Sequence, residues 1–525
     1  MRVAAICTIV LPLACALATR AAPAQPSSAE AKCSALGRLQ VPGAMLSDLS
    51  AQWFPAGSPP PPEPPFVPPL SVKLPAYCRL DATLDRRTGA DGGQYGIGFA
   101  IALPADWNGR LLFQGGGGLN GSVAPPLGRT GAGESALARG FAVVTTDTGH
   151  TGAVFDATFM REQQASLDFA YQAVGRVAVL AKQILDNYYD RPADRAYFMG
   201  CSTGGREGML MAQRYPTYFD GVVVGAPAMR THFSGIGDEW VATMLNQAAP
   251  KDASGKPDLK RAFSDADRTA IIDAFLNACD AIDGLKDGMV MHPTGCRFDV
   301  KTIQCAGEKK DGCLSPAQVS AVRKAFAGPK DSKGRQVYPG FLFDTGITTT
   351  QGIPGLLAGG LNPVGPPFTA TEMDVDARTE QASANPQMIL TATSTWTNLN
   401  TFSARGGKLL FYHGVSDPWF SALDTIDYYE RMTKANGGRA TVMRWSRLFL
   451  APGMGHCGGG PAALDTFDPL DAVVQWVEQG KAPDSLTATG PALAGRSRPL
   501  CPYPQHGHYK GAGNPDDAAA FECRE

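Results

Sequence analysis

The chain lacks any Cys-x-x-Cys pair, which removes the usual signature of a zinc site. It lacks an excess of either charge: 47 Lys and Arg face 49 Asp and Glu, a net charge of -2, so no overall field recruits nucleic acid or an anionic membrane. No G-X-Y period accompanies its 60 Gly and 41 Pro, which excludes a collagen, and a hydrophobic content of 44% excludes wholesale disorder. Past residue 24 no apolar run is long enough to span a bilayer. Histidine is scarce, seven in 525 residues, so few groups can serve as a general base. What remains is a loop-rich globular protein with ample chain for a large core.

Residues 1–24 differ from the rest. Met1-Arg2 supplies a positive start, residues 3–18 are almost wholly apolar, and Ala21-Ala22-Pro23-Ala24 offers small residues for cleavage. This predicts a secretory signal peptide; the apolar run, about 16 residues, is short for a membrane span. Leu13-Ala14-Cys15 resembles a lipoprotein site, but Pro12 stands where an aliphatic residue is wanted. Of the 12 cysteines, Cys7 and Cys15 lie in or beside this leader, leaving Cys33, Cys78, Cys201, Cys279, Cys296, Cys305, Cys313, Cys457, Cys501 and Cys523. An even number in an exported chain implies disulfides, though roughly 900 pairings are possible.

Residues 25–78 form an N-terminal extension whose Pro-rich stretch, 55–69, suits a stiff connector. Over 79–228 the pattern predicts strands at 95–103, 110–114, 141–146, 196–200 and 221–225. Helices are expected at 165–189 and 206–214. Alternating strands and helices argue an α/β fold with a mainly parallel sheet. Residues 229–404 break the pattern, being rich in Gly, Thr, Asp and Pro and without repeated strand-helix units. Strands return at 408–412 and 447–451, with a helix near 471–478. The simplest organisation is one α/β core interrupted by a large inserted lid, with the core's second part and a tail over 405–525; two independent domains is the alternative.

Chemistry concentrates at strand ends. Gly200-Cys201-Ser202-Thr203-Gly204 fits G-x-S-x-G, with a strand running in and a helix running out, a turn that lifts a serine hydroxyl above a sheet. A serine needs a base, and the base needs an acid, in the chain order Ser, Asp, His. Strand 408–412 leads to Asp417, and strand 447–451 leads to His456. His506 and His508 lie in a Pro/Gly/Tyr-rich tail and are expected at the surface, while His413 is expected to be structural beside the acid. Two backbone donors must hold the oxyanion. Thr203 N–H is one candidate, and Gly116, in the Gly115–Gly118 run after strand 110–114, is the other; no Lys-Ser or Lys-Thr follows that run, so it is not a phosphate loop.

These residues resemble the tannase and feruloyl esterase family of α/β-hydrolases, above all in Cys201-Ser202 and His456-Cys457, a cysteine directly before the nucleophile and another directly after the histidine. The likeness runs through Gly115-Gly116, residues 200–208, Leu314-Ser315-Pro316, residues 421–430 and Cys501-Pro502-Tyr503-Pro504. It implies a Cys201–Cys457 disulfide, with Cys33–Cys78, Cys279–Cys296, Cys305–Cys313 and Cys501–Cys523 as the remaining pairs. It also implies a structural Ca²⁺ in the lid, held by Asp280, Asp283 and Asp287 with the carbonyls of Leu285 and Met289. Hard oxygen ligands in a Gly-rich loop suit that ion, though the spacing is not that of an EF-hand. No organic cofactor is implied.

The expected activity is a secreted, periplasmic or extracellular, serine carboxylic-ester hydrolase working through an acyl-enzyme. Trp419 and Phe420 would stack on the aromatic acid of a feruloyl, hydroxycinnamoyl or galloyl ester. Relatives that take terephthalate monoesters hold the free carboxylate with a lid arginine; over 340–404 this chain has only Arg378, in unlike surroundings. A terephthalate-type monoester hydrolase is therefore the alternative, and a non-catalytic calcium-stabilised binding protein the alternative of another class. The partner expected is a small aromatic ester, with neither nucleic acid nor membrane; nothing in the sequence sets the oligomeric state.

Overall fold

Runs of β-branched and aromatic residues buried on both faces, such as Ala-Val-Val-Thr-Thr at Ala142–Thr146 and Gly-Val-Val-Val-Gly at Gly221–Gly225, mark the centre of a covered sheet. In the computed structural model, which describes residues 28–62, 70, 72–129, 135–350, 352–358, 362 and 365–525, that sheet has nine strands. They are β1 (Leu46–Phe54), β2 (Tyr77–Thr88), β3 (Gln94–Pro104), β4 (Arg110–Gln114), β5 (Ala142–Thr146), β6 (Arg195–Cys201), β7 (Gly221–Gly225), β8 (Lys408–Gly414) and β9 (Ser446–Ala451). The order is β1-β2-β3-β5-β4-β6-β7-β8-β9; β1, β2, β3 and β5 pair antiparallel, and β5 through β9 pair parallel. The predicted leader and residues 63–69 of the Pro-rich stretch lie outside the described residues.

Alternation along the strands divides the core in two. Leu111, Phe113, Val144, Phe198, Val222, Val224 and Phe411 pack on one face, and Leu112, Val143, Tyr197, Val223, Leu410 and Phe449 on the other. The expected strands are all present within a residue or two, and the segment read as an extension adds β1 and the start of β2. The helix expected over 165–189 is interrupted: Gln163–Leu167 and Ala173–Tyr189 flank a π turn, Asp168–Gln172. The buried Arg206 guanidinium takes up two carbonyls of that turn, Phe169 O at 3.0 Å and Ala170 O at 2.7 Å, a partner that periodicity does not reveal.

Strand order reverses at β4, which lies between β5 and β6, so the loops after β4 and β6 open side by side at the carboxyl edge, where such sheets place ligands. Between the neighbouring strands β7 and β8 the chain leaves the sheet for residues 226–407. This segment is helical, with Thr231–Asn246, Asp265–Cys279 and Pro316–Ala327 gathered on a separate apolar cluster that includes Val241, Ile271, Val322 and Phe326. Because β8 pairs with β7, the chain rejoins the same sheet afterwards. Among the described residues no helix is long and apolar enough to cross a membrane.

Candidate active site

The turn after β6 holds Ser202 at φ 63° and ψ -122°, a conformation an L-residue adopts only when its surroundings enforce it. Its N–H donates to Gly225 O at 3.0 Å, tying the turn to the end of β7. The next glycines are sterically required. A Cβ on Gly204 would lie 2.7 Å from Gly116 O, and one on Gly205 would lie 2.2 Å from Gly225 O. Thr203 opens the helix Thr203–Gln213, so its N–H has no intrahelical acceptor and sits at the positive end of the helix dipole.

At the ends of β8 and β9, Asp417 and His456 meet: Asp417 Oδ2 lies 2.7 Å from His456 Nδ1. Asp417 is 1% exposed. Its other oxygen accepts the N–H groups of Trp419 at 2.9 Å and Phe420 at 3.0 Å. Burial alone would raise this carboxyl, but attraction to His456 and hydrogen bonds from His413 and His456 hold it far below the usual carboxylate range. His413 is clasped by Thr425 Oγ1 at 2.8 Å and Phe420 O at 2.9 Å, with Nε2 3.4 Å from Asp417 Oδ2. The remaining nitrogen of the His456 ring, Nε2, is buried and has no hydrogen-bond partner among the described residues, Ser202 Oγ included. The rings of Trp419 and Phe420 stand 4.7 and 5.2 Å from the imidazole, and Phe155 approaches Trp419 edge-on at 6.1 Å.

All five disulfides have the partners the resemblance implied. Cys201–Cys457 joins residues 256 apart in sequence, with Cα atoms 6.0 Å apart, and so links the serine turn to the histidine loop.

Gly116 N–H is already engaged: it donates to Glu207 Oε2 at 3.0 Å, while Asn120 Nδ2 donates to Glu207 Oε1 at 3.0 Å. Glu207 is 1% exposed, and burial leaves its carboxyl raised despite the adjacent Arg206 and the bonds from Gly116 and Asn120. The Gly115–Gly118 run is thus braced from the helix Thr203–Gln213 by a side chain that motif spacing did not single out. His506, expected at the surface, is 7% exposed and stacks on His292 with centroids 3.8 Å apart. Burial and the cationic neighbourhood of His292, His508 and Arg524 lower it to about 4; the tail folds back on the segment after residue 290, a long-range contact without a local signal.

The acidic loop at 280–289 is compact. Asp280 and Asp283 are buried, Asp280 accepting Gly288 N–H at 2.9 Å and Asp283 accepting Met291 N–H at 2.7 Å. Asp283 is pushed up to about 7, by burial first and by repulsion from Asp287 and Asp280. Asp287 is ion-paired to Arg498 and accepts Met289 N–H at 3.1 Å. Among the described residues no three side chains of His, Cys, Asp or Glu converge as a ready metal cage.

Arg378 is committed elsewhere, to Glu239 at 2.7 Å and Gln381 at 2.6 Å. Asp344 and Asp238, both buried in the 226–407 segment near the acid, also escaped the sequence reading.

The family model of tannase and feruloyl esterase matches residues 84–360 and 361–524. The chain belongs to that family. It is 39% identical over 519 residues to mono(2-hydroxyethyl) terephthalate hydrolase of Piscinibacter sakaiensis, covering 86% of this chain and 85% of that one. To a probable feruloyl esterase B-2 of Aspergillus terreus it is 32% identical over 461 residues, covering 80% and 82%. Among solved structures, feruloyl esterase B from Aspergillus oryzae superposes with a TM-score of 0.76 at 28% identity, over 95% of this chain and 100% of that chain. Tannin acyl hydrolase from Aspergillus niger shares the fold, with a TM-score of 0.70 at 24% identity over 94% of each. The protein is a carboxylic ester hydrolase of this family, with an α/β-hydrolase sheet.

Proposed function

We propose that the protein is an exported serine esterase that cleaves esters of aromatic acids through an acyl-enzyme. The observation that carries this reading is the His456 ring, fixed at Nδ1 by Asp417 and left with a buried, unpartnered Nε2 on a loop bonded to the residue before Ser202. Ser202 Oγ attacks the ester carbonyl as its proton passes to His456 Nε2; the imidazolium returns that proton to the departing alkoxide. Water then repeats the sequence on the acyl-serine and releases the acid. Asp417 fixes the tautomer and balances the imidazolium charge. Thr203 N–H and Gly116 N–H are the two oxyanion donors, the latter exchanging its bond to Glu207 Oε2 for the developing oxyanion.

Trp419, Phe420 and Phe155 gather beside the base and suit a flat aromatic acyl group such as hydroxycinnamate or gallate. Identity of 39% to a terephthalate monoester hydrolase favours that substrate as a second reading. Against it, the Arg378 guanidinium is neutralised by Glu239 and is not a spare clamp for a carboxylate. The lid over the acyl group is residues 229–404, a reading supported by the departure of the chain from the sheet between β7 and β8. Export is supported by the leader and the five disulfides. Ca²⁺ is proposed as a structural ion in the 280–289 loop, where Asp280, Asp283 and Asp287 with the Leu285 and Met289 carbonyls are the oxygen donors; it would need Asp287 to turn from Arg498.

The test is turnover of methyl ferulate, methyl gallate, a terephthalate monoester and a short aliphatic ester by mature oxidised protein beside Ser202→Ala. Hydrolysis led by the first two and lost in the variant is expected. A monoester at the head of the ranking would move the assignment to the second reading, and undiminished turnover by the variant would end the serine mechanism.

A further inference from the structure

Asp344 comes from the 226–407 segment, takes no part in the scheme above, and is 0% exposed. One of its oxygens, Oδ2, accepts Ser416 Oγ–H at 2.7 Å and Gly453 N–H at 2.6 Å. Ser416 directly precedes Asp417 on the loop after β8, and Gly453 lies on the loop after β9 that leads to His456. Ser416 Oγ in turn accepts Gly346 N–H at 3.0 Å, and Ser416 N–H donates to Met454 O at 2.9 Å, closing a small network around both loops. The docking leaves no slack: a Cβ on Gly346 would stand 2.7 Å from both Gly453 O and Ser416 Cβ.

We propose that Asp344 is a positioning residue, the single buried oxygen through which the inserted segment sets the distance and orientation between the Asp417 loop and the His456 loop. The proposal rests on the Ser202–His456–Asp417 reading. A buried carboxylate is costly unless donors compensate it, and the two donors here come from two different catalytic loops. Burial pushes this carboxyl up to about 6 despite the bonds from Ser416 and Gly453. Both bonds that bridge the two loops fall on Oδ2, while the Thr345 N–H that also favours the charged carboxyl belongs to the inserted segment itself. That asymmetry makes the idea sharp. An asparagine keeps one carbonyl oxygen able to accept both bonds, whereas alanine keeps none. Because reacting groups displaced by about 1 Å can lose about 100-fold in rate, the effect falls on the chemical step and not on binding.

The experiment compares Asp344→Ala, Asp344→Asn and Ser416→Ala with wild type on methyl ferulate. Rates are normalised to active serines counted with a p-nitrophenyl alkylphosphonate, so unfolded protein does not enter kcat. Asp344→Ala is expected to lose about 10–100-fold in kcat per titrated site with KM within about threefold. Asp344→Asn should stay within about fivefold of wild type, and Ser416→Ala, which removes one arm, should fall between. A wild-type kcat per titrated site in Asp344→Ala would overturn the proposal, as would an asparagine variant no better than alanine. Should Asp344→Ala give no folded protein, Ser416→Ala and Asp344→Asn decide: wild-type kcat in Ser416→Ala overturns it, and the intermediate loss beside a near-normal Asn variant supports it. Ser202→Ala is run alongside; if that variant turns over or takes up the phosphonate, the serine reading itself has failed.

Discussion

The parallel half of the sheet and the 226–407 segment are built on different principles, and both reach the same few atoms. Strands β4 to β9 are held by continuous apolar runs on two faces, and they deliver Ser202, Asp417 and His456 as the residues just past β6, β8 and β9. The inserted segment has its own apolar cluster and touches the site through isolated polar groups. Asp344 grips Ser416 and Gly453, Tyr338 Oη accepts Ser421 N–H at 3.0 Å, and Arg230 pairs with Asp424 at the start of the helix after the acid loop. The sheet sets the positions of the three strand-end residues; the insertion bonds to the loops that carry two of them. Damage to the first should abolish the reaction, while damage to the second should change rate, ranking or stability by degrees.

The largest effect expected is on the sheet side. Ser202→Ala should cost at least about 10⁴-fold in kcat with folding intact, read as turnover beside an unchanged melting curve. A smaller loss would mean that the strand-end serine is not the nucleophile. Next is the bridge that couples two strand ends. Replacing Cys201 and Cys457 together by alanine removes a very long covalent loop and should destabilise by about 2–5 kcal/mol in denaturant titrations, lowering kcat as well. Equal stability with full activity would show that the sheet alone fixes the two loops.

The following effects concern the aromatic neighbours of His456 and the 280–289 loop. Trp419→Ala should leave the aliphatic ester nearly unchanged and weaken kcat/KM for methyl ferulate by about tenfold, the size of one lost aromatic contact. Equal losses on both esters would make Trp419 a support for Asp417 through its backbone neighbourhood and not a substrate wall. The smallest effect should come from metal removal. Chelation should lower the melting temperature by a few degrees with kcat nearly constant, checked by calorimetry and elemental analysis. An unchanged melting curve and no bound calcium would leave Asp280, Asp283 and Asp287 as an acidic turn neutralised by Arg498.

The same contrast explains what could be read from the sequence. Glycine-flanked β-branched runs such as residues 221–225 advertise a parallel strand, so the strands, and with them the placement of Ser202, Asp417 and His456 at strand ends, were legible residue by residue. The pairing of Cys201 with Cys457 came from resemblance, since spacing permits many alternatives. Glu207 was invisible because a glutamate at that helical position is usually solvated; only the fold brings the Gly116 N–H and Asn120 amide to it. Asp344 and His506 were missed for a related reason, since their partners lie far away in the chain and leave no periodic trace.

The most direct test of the central claim is to catch the covalent intermediate. Rapid acid quench of wild type with methyl ferulate, followed by proteolysis and mass spectrometry, should show a feruloyl adduct on Ser202, in the peptide disulfide-linked to the one carrying Cys457. Ser202→Ala should show none. An adduct on another residue, or hydrolysis that continues in the variant without one, would contradict the account.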